Sequence, residues 1–234
     1  MPAAERTAGP GVVLVTGGSS GLGAATAQAV DKAGGTPVVL DLVPPPSGLE
    51  HELVDLADTR AAEETVRRVA QRHGRLDAVV TAAGVDACGR LADVDALSWE
   101  RVVTVNLLGT AAVVRAALPA LTSSRGKVVA VASTLGLRAL SDATAYCASK
   151  FGVVGFGRAL AIELAGQVDV TLFSPGGMRT AFFDDRDPQY KPGPDAVLAD
   201  PADVAAAILF ALQQPAGNVV REMVYTPSPE PSWP

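Results

Sequence analysis

The chain has 234 residues, 48% of them hydrophobic, 19% charged and 5% aromatic. That length suits one α/β or all-β domain and needs neither disulfides nor a structural metal to bury a core. The net charge of −6 argues against nucleic-acid binding, which calls for a basic patch or stripe.

Lysine is scarce, with Lys32, Lys127, Lys150 and Lys191 the only four. Cys88 and Cys147 have no CxxC spacing and are expected to be reduced, buried thiols. The N-terminal segment fits neither a signal peptide nor a membrane span, which needs about 18 apolar residues. A soluble, cytoplasmic protein is expected.

Along the chain, apolar runs and helical stretches alternate. Val12–Thr16 is a β-branched run closed by glycines, and Leu22–Lys32 follows as a helix. Thr36–Asp41 and His51–Leu56 are strand candidates. Thr59–His73 is a helix with Asp58 as N-cap, and Glu63, Glu64, Arg67 and Arg68 mark a solvated face. Leu76–Ala82 reads as a strand, Ser98–Leu121 as one long apolar helix, and Lys127–Ala132 as a buried strand. Ala145–Leu164 is a second long helix, followed by strand Val168–Phe173, helix Ala202–Leu212 and strand Met223–Thr226.

Such alternation, with strands apolar throughout, predicts one domain: a Rossmann-type, doubly wound parallel sheet of about seven strands with helices on both faces. Residues 182–201, rich in Pro, Asp and Gly, are too long for a plain connection and predict a substrate lid. The tail 227–234 is proline-rich and irregular.

Three groups of residues carry chemistry. Thr16-Gly17-Gly18-Ser19-Ser20-Gly21-Leu22-Gly23 lies between a strand and a helix, the context in which glycines let backbone N–H groups approach a pyrophosphate. Asp41 ends the next strand, 18 residues after Gly23, where a carboxylate accepts bonds from an adenosine ribose and repels a 2′-phosphate; NAD is therefore favoured over NADP. Tyr146 and Lys150 stand at i,i+4, on one helix face. An ammonium there stabilises the phenolate and lowers a tyrosine pKa that is ordinarily near 10. Ser133, 13 residues before Tyr146, offers a hydroxyl to a carbonyl or alcohol oxygen.

TGxxxGxG, the strand-end Asp41, Ser133 and YxxxK, in this order, resemble the short-chain dehydrogenase/reductase superfamily in its compact branch. The resemblance spans about residues 11 to 226. By it, Asp55 and Leu56 fall at the adenine contact, Thr81-Ala82-Ala83-Gly84 at the NNAG segment, Asn106 at the fourth catalytic position, and Pro175-Gly176-Gly177-Met178-Arg179-Thr180 at the PGxVxT segment, whose Thr180 meets the nicotinamide carboxamide.

The same resemblance implies that Tyr146 is the proton donor or acceptor, and that Lys150 lowers the Tyr146 pKa and bonds the nicotinamide ribose. Ser133 would hold the substrate oxygen and Asn106 would support a water relay to Lys150. Thr81 and Ala82 depart from the asparagines usual there. The tail with Trp233 departs from the usual glycine-rich ending, and is read as an ordered flap, a subunit contact or a frayed end.

Leu135, Leu137, Met178, Phe182, Phe183 and Tyr190 are pocket or lid candidates, suited to a neutral ketone or secondary alcohol. Arg138, Arg179 and Arg186 are read as solvated, His51 and His73 as structural, and no metal site is expected. The expected activity is NAD(H)-dependent interconversion of a secondary alcohol and a ketone. The alternatives are an NADPH-dependent biosynthetic ketoreductase and a non-catalytic dinucleotide-binding regulator. The resemblance also implies that the two long helices pair across a two-fold axis, in a homodimer or homotetramer.

Overall fold

The computed structural model describes residues 9–230. Its strands are β1 (Val12–Thr16), β2 (Thr36–Asp41), β3 (His51–Leu53), β4 (Ala78–Thr81), β5 (Lys127–Val131), β6 (Asp169–Pro175) and β7 (Glu222–Tyr225). They form one sheet in the order β3-β2-β1-β4-β5-β6-β7, with every neighbouring pair parallel. The helices are α1 (Gly21–Lys32), α2 (Thr59–His73), α3 (Ala96–Val103), α4 (Thr110–Ser124), α5 (Thr144–Glu163) and α6 (Pro201–Leu212).

The continuous apolar strands follow from burial on both faces. Successive side chains of a strand point to opposite sides. Leu14, Val79 and Val128 accordingly pack with α2 and α4, through Val66, Val113 and Leu121. Val13, Val15, Val80 and Val129 pack on the other face with Val30 of α1 and Ile208 of α6. The order reverses between β1 and β4, so a crevice opens beyond the carboxyl ends of these strands.

Several expected elements differ in detail. The strand expected to run to Leu56 stops at Leu53, because Val54 and Leu56 turn into the core. The helix expected as Ser98–Leu121 is broken: α3 is capped by Asp95, a π-helical turn spans Thr104–Gly109, and α4 follows. A π turn widens the helix by one residue and is common at functional sites. Here it carries Asn106 into the fold, while a Cβ on Gly109 would stand 2.9 Å from Leu56.

Asp58 caps α2 as expected, accepting from Arg60 N and Ala61 N. Glu63, however, is not solvated. Its residue is 5% exposed because Arg60, Arg67 and, from α4, Arg115 close over its carboxylate. Residues 182–201 are irregular, as expected, with two short 3-10 turns at Ala181–Phe183 and Pro188–Tyr190. In the tail, Glu230 Oε2 accepts from Gly177 N at 2.9 Å; Trp233 lies outside the described residues.

Candidate active site

Loops leaving β1, β4, β5 and β6, together with α5 and residues 182–198, enclose a cavity of about 1030 Å³. At its floor the glycines of the β1–α1 turn are required by space. A Cβ on Gly17 (φ +68°) would stand 2.7 Å from Ala83 Cα, and one on Gly23 would stand 2.1 Å from Gly17 O. Helix α1 begins beneath this turn. Ser20, its N-cap, makes no capping bond with its side chain, and the first turn holds no acidic residue. Open N–H groups with the positive end of a helix dipole fit an anionic pyrophosphate.

At the end of β2, Asp41 faces the cavity. Its carboxylate accepts from Ser19 N at 2.9 Å and from Leu42 N at 2.7 Å. A carboxylate has about four acceptor sites, so capacity remains for two ribose hydroxyls. Asp55 and Leu56 line the wall nearby. Asp55 accepts from Ala57 N at 2.9 Å and pairs with Arg101 at 3.2 Å, which occupies that guanidinium.

Thr16, Ser19 and Asn106 do not line the cavity; they hold the residues that do. Thr16 Oγ1 accepts from Ala83 N at 3.1 Å. Ser19 Oγ donates to Val43 O at 2.5 Å. Asn106 Oδ1 accepts from Val85 N at 2.8 Å, while its Nδ2 donates to Val85 O at 2.9 Å and to Ser149 Oγ at 3.0 Å. Ala82, Ala83 and Gly84 do reach the wall. Thr81, standing where asparagine is usual, leaves its buried Oγ1 without a hydrogen-bond partner.

Ser133, Tyr146 and Lys150 share one stretch of wall. Ser133 follows β5 and accepts from Leu135 N at 3.1 Å, which fixes its hydroxyl. Burial pushes the Tyr146 phenol up to about 12, against a hydrogen bond from Ser133 that pulls it down. Lys150 Nζ donates to Val131 O at 3.1 Å and lies 5.7 Å from the Tyr146 ring centroid. Burial brings Lys150 down to about 8, so its charge is retained below that pH. The expected lowering of the Tyr146 pKa by Lys150 is therefore not found, because burial outweighs it, and the phenol is in its proton-donating form at neutral pH. Pro175, Gly176 and Thr180 complete the wall, and a Cβ on Gly21 would touch Thr180 Cγ2 at 3.4 Å.

The pocket candidates Leu135, Met178, Phe182, Phe183 and Tyr190 line the cavity. Leu137 packs instead with Ala130, Ala132 and Val153. Arg138 and Arg179 are exposed as expected, but Arg186 is not solvated: its side chain is 18% exposed and bound to Asp86 at 2.6 Å. Asp86 was missed, because a lone aspartate beyond Gly84 carries no pattern without its partner 100 residues away. Among the described residues no group of His, Cys, Asp or Glu is placed to hold a metal.

A parallel sheet in this order, with a glycine cradle at its switch point and Ser, Tyr and Lys across one cavity, defines a Rossmann-type oxidoreductase. Residues 11–191 match the family model described as short chain dehydrogenase. An oxidoreductase of Staphylococcus saprophyticus is 30% identical over 92% of this chain and 97% of its own. The 3-oxoacyl-(acyl-carrier-protein) reductase of Thermotoga maritima is 29% identical over 91% and 94%. The alcohol dehydrogenase of Thermococcus sibiricus, solved with 5-hydroxy-NADP, superposes with a TM-score of 0.79 at 24% identity, over 91% of this chain and 94% of that one. The chain belongs to the short-chain dehydrogenase family, whose members bind a nicotinamide dinucleotide.

Proposed function

We propose that the protein is an NAD(H)-dependent oxidoreductase that interconverts a secondary alcohol and a ketone. The observation that carries this reading is the convergence of Ser133, Tyr146 and Lys150 on the cavity that holds the glycine cradle and Asp41. When bound, the dinucleotide supplies or accepts the hydride at the substrate carbon. Ser133 holds the substrate oxygen, and Tyr146 gives it a proton during reduction or removes one during oxidation. Lys150 would hydrogen-bond the nicotinamide ribose, and its ammonium, 5.7 Å from the Tyr146 ring centroid, would offset part of the cost of a phenolate there. Thr180 would meet the carboxamide, and Gly17, Ser20, Gly21, Leu22 and Gly23 would receive the pyrophosphate.

Asn106 acts through Val85, holding the loop that carries Gly84, a contact that supports a positioning role more directly than a water relay. Asp41 supports NAD, since its charge opposes a 2′-phosphate. The second reading, an NADPH-dependent ketoreductase, draws on the Thermotoga relative named above as a reductase. We further propose a cytoplasmic protein, assembled as a homodimer or homotetramer through the exposed apolar side chains Leu108, Phe151 and Ile162, with residues 182–201 as the substrate lid. Turnover of a ketone and alcohol panel with NADH and NADPH, followed by absorbance, tests the reading. Equal or better use of NADPH overturns the cofactor assignment, and undiminished turnover by Tyr146→Phe overturns the acid/base role.

A further inference from the structure

The lid meets the β4 loop through a pair of charges inside the cavity. Asp86, whose side chain is 8% exposed, binds Arg186 Nη2 through Oδ2 at 2.6 Å. The same oxygen accepts from Cys88 Sγ at 3.1 Å, and Oδ1 accepts from Ala87 N at 2.7 Å. The guanidinium lies over the rings of Phe182 and Phe183, with its carbon 5.0 and 4.6 Å from their centroids. Phe182 in turn lies 5.7 Å from the Tyr146 ring. One aromatic ring therefore separates the proton donor from a guanidinium, and that guanidinium already has its counter-ion.

The remaining charges on this side of the cavity do not replace it. Asp142 and Asp195 line the wall, and Lys191, the other cation of the lid, donates to Asp184 O at 2.5 Å. Lys191 keeps its charge, since its acceptor is a backbone carbonyl, but it is exposed, and Lys150 is turned to Val131 O. Beside the phenylalanine rings a carboxylate meets Asp142 and an Arg186 whose charge is already paired. Were Asp86 uncharged, the Arg186 charge would no longer be cancelled and Nη2 would be released to a planar anion, the group guanidinium pairs with best.

We propose that Asp86 is a specificity-determining residue, holding Arg186 in an internal ion pair and so closing the substrate chamber to carboxylate-bearing substrates in favour of neutral ketones and alcohols. The proposal rests on the oxidoreductase reading above and extends it to the substrate class. The closed pair of Asp86 and Arg186 is net neutral: it leaves an entering carboxylate without that counter-ion, and a neutral substrate to the phenylalanine rings.

The test compares a ketone carrying a terminal carboxylate with its methyl ester, at saturating NADH. The wild type is expected to favour the ester in kcat/KM by about tenfold or more, equivalent to about 1.4 kcal/mol. Asp86→Asn, nearly isosteric, is expected to shift the acid-to-ester ratio at least about tenfold toward the acid, mainly through KM. The double variant Asp86→Asn/Arg186→Gln is expected to lose that gain. A wild type that uses the acid as well as the ester overturns the proposal even if the variants do not fold; so does Asp86→Asn with an unchanged ratio.

A second arm measures calorimetric binding of hexanoate to the NADH complex, expected to be at least about tenfold tighter in Asp86→Asn than in the wild type. Equal affinities overturn the proposal. This arm needs no turnover, so a protein inactive on every ketone would refute the ketone and alcohol reading while the role of Asp86 was still being read.

Discussion

Asn106→Ala is the substitution for which the structure gives the most complete expectation. Three hydrogen bonds are lost, but their consequences differ. Ser149 Oγ keeps its bond to Tyr146 O at 2.8 Å, so it is not orphaned. Val85 N and Val85 O lose the partners that held them at 2.8 and 2.9 Å. An orphaned backbone group costs roughly 1–3 kcal/mol, so the expected loss is about 3 kcal/mol. In a domain of this size that is a fall in Tm of roughly 6–12 °C, within a total stability of about 5–15 kcal/mol; the variant should still fold. Activity falls as well, because the loop that loses its tether carries Gly84 beside the site, where a Cβ would stand 3.6 Å from Asn106 Oδ1 and 3.7 Å from Lys150 Nζ. A decrease of about tenfold in kcat/KM is expected, corresponding to about 1.4 kcal/mol. Urea unfolding and NADH turnover measure both effects. Stability within about 0.5 kcal/mol of the wild type would refute the tethering role.

Other expectations follow from single contacts. Asp41→Asn removes a charge whose repulsion of a 2′-phosphate is on the order of 1–4 kcal/mol at about 4 Å; the NADPH-to-NADH ratio of kcat/KM should rise by about tenfold or more, and an unchanged ratio would exclude Asp41 from cofactor choice. Tyr146→Phe should lower turnover by about 10²–10⁴-fold while dinucleotide binding, followed by fluorescence, persists. With the Tyr146 phenol pushed up to about 12 by burial, reduction should hold at neutral pH and oxidation should climb as pH rises. Reduction should decline above about pH 8, where Lys150, brought down by burial, loses its proton; a flat profile from pH 7 to 10 would contradict this. Glu63 is held down at about 2, chiefly by its hydrogen bond to Arg115. Its folded pKa lies below its ordinary value of 4.5, so its contribution to stability is present above pH 4.5 and is lost as pH falls toward 2. Glu63→Gln should flatten the acid limb of a stability–pH curve there.

The readable part of this protein is the part with local cause. A glycine that must let Ala83 approach, or a lysine one helical turn from a tyrosine, leaves its mark within a few residues. So does the alternation of apolar strands and helices, and the sheet follows from it. The ends of elements were less legible: β3 is short because Val54 and Leu56 face the core, a fact about α2 and α4 rather than about residues 51–56. The break in the long helix is similar, for the π turn that carries Asn106 makes sense only beside Val85 and Ser149.

Charges were misread for one reason in two places. Glu63 beside Arg60 and Arg67 has the spacing of a solvated helix face, and Arg186 in a loop rich in Asp and Pro has the setting of a solvated arginine. Each is buried because of a residue far along the chain, Arg115 for the first and Asp86 for the second. Burying an ionised side chain alone costs several kcal/mol, and a partner of opposite sign makes it tolerable. Charge placement in a cavity walled by loops from several strands is therefore a property of pairs, and single-residue reading errs toward solvent. For Glu63 the error concerns stability only. For Arg186 it concerns what the cavity admits, since the same guanidinium is an anion site when unpaired and a neutral wall when paired with Asp86.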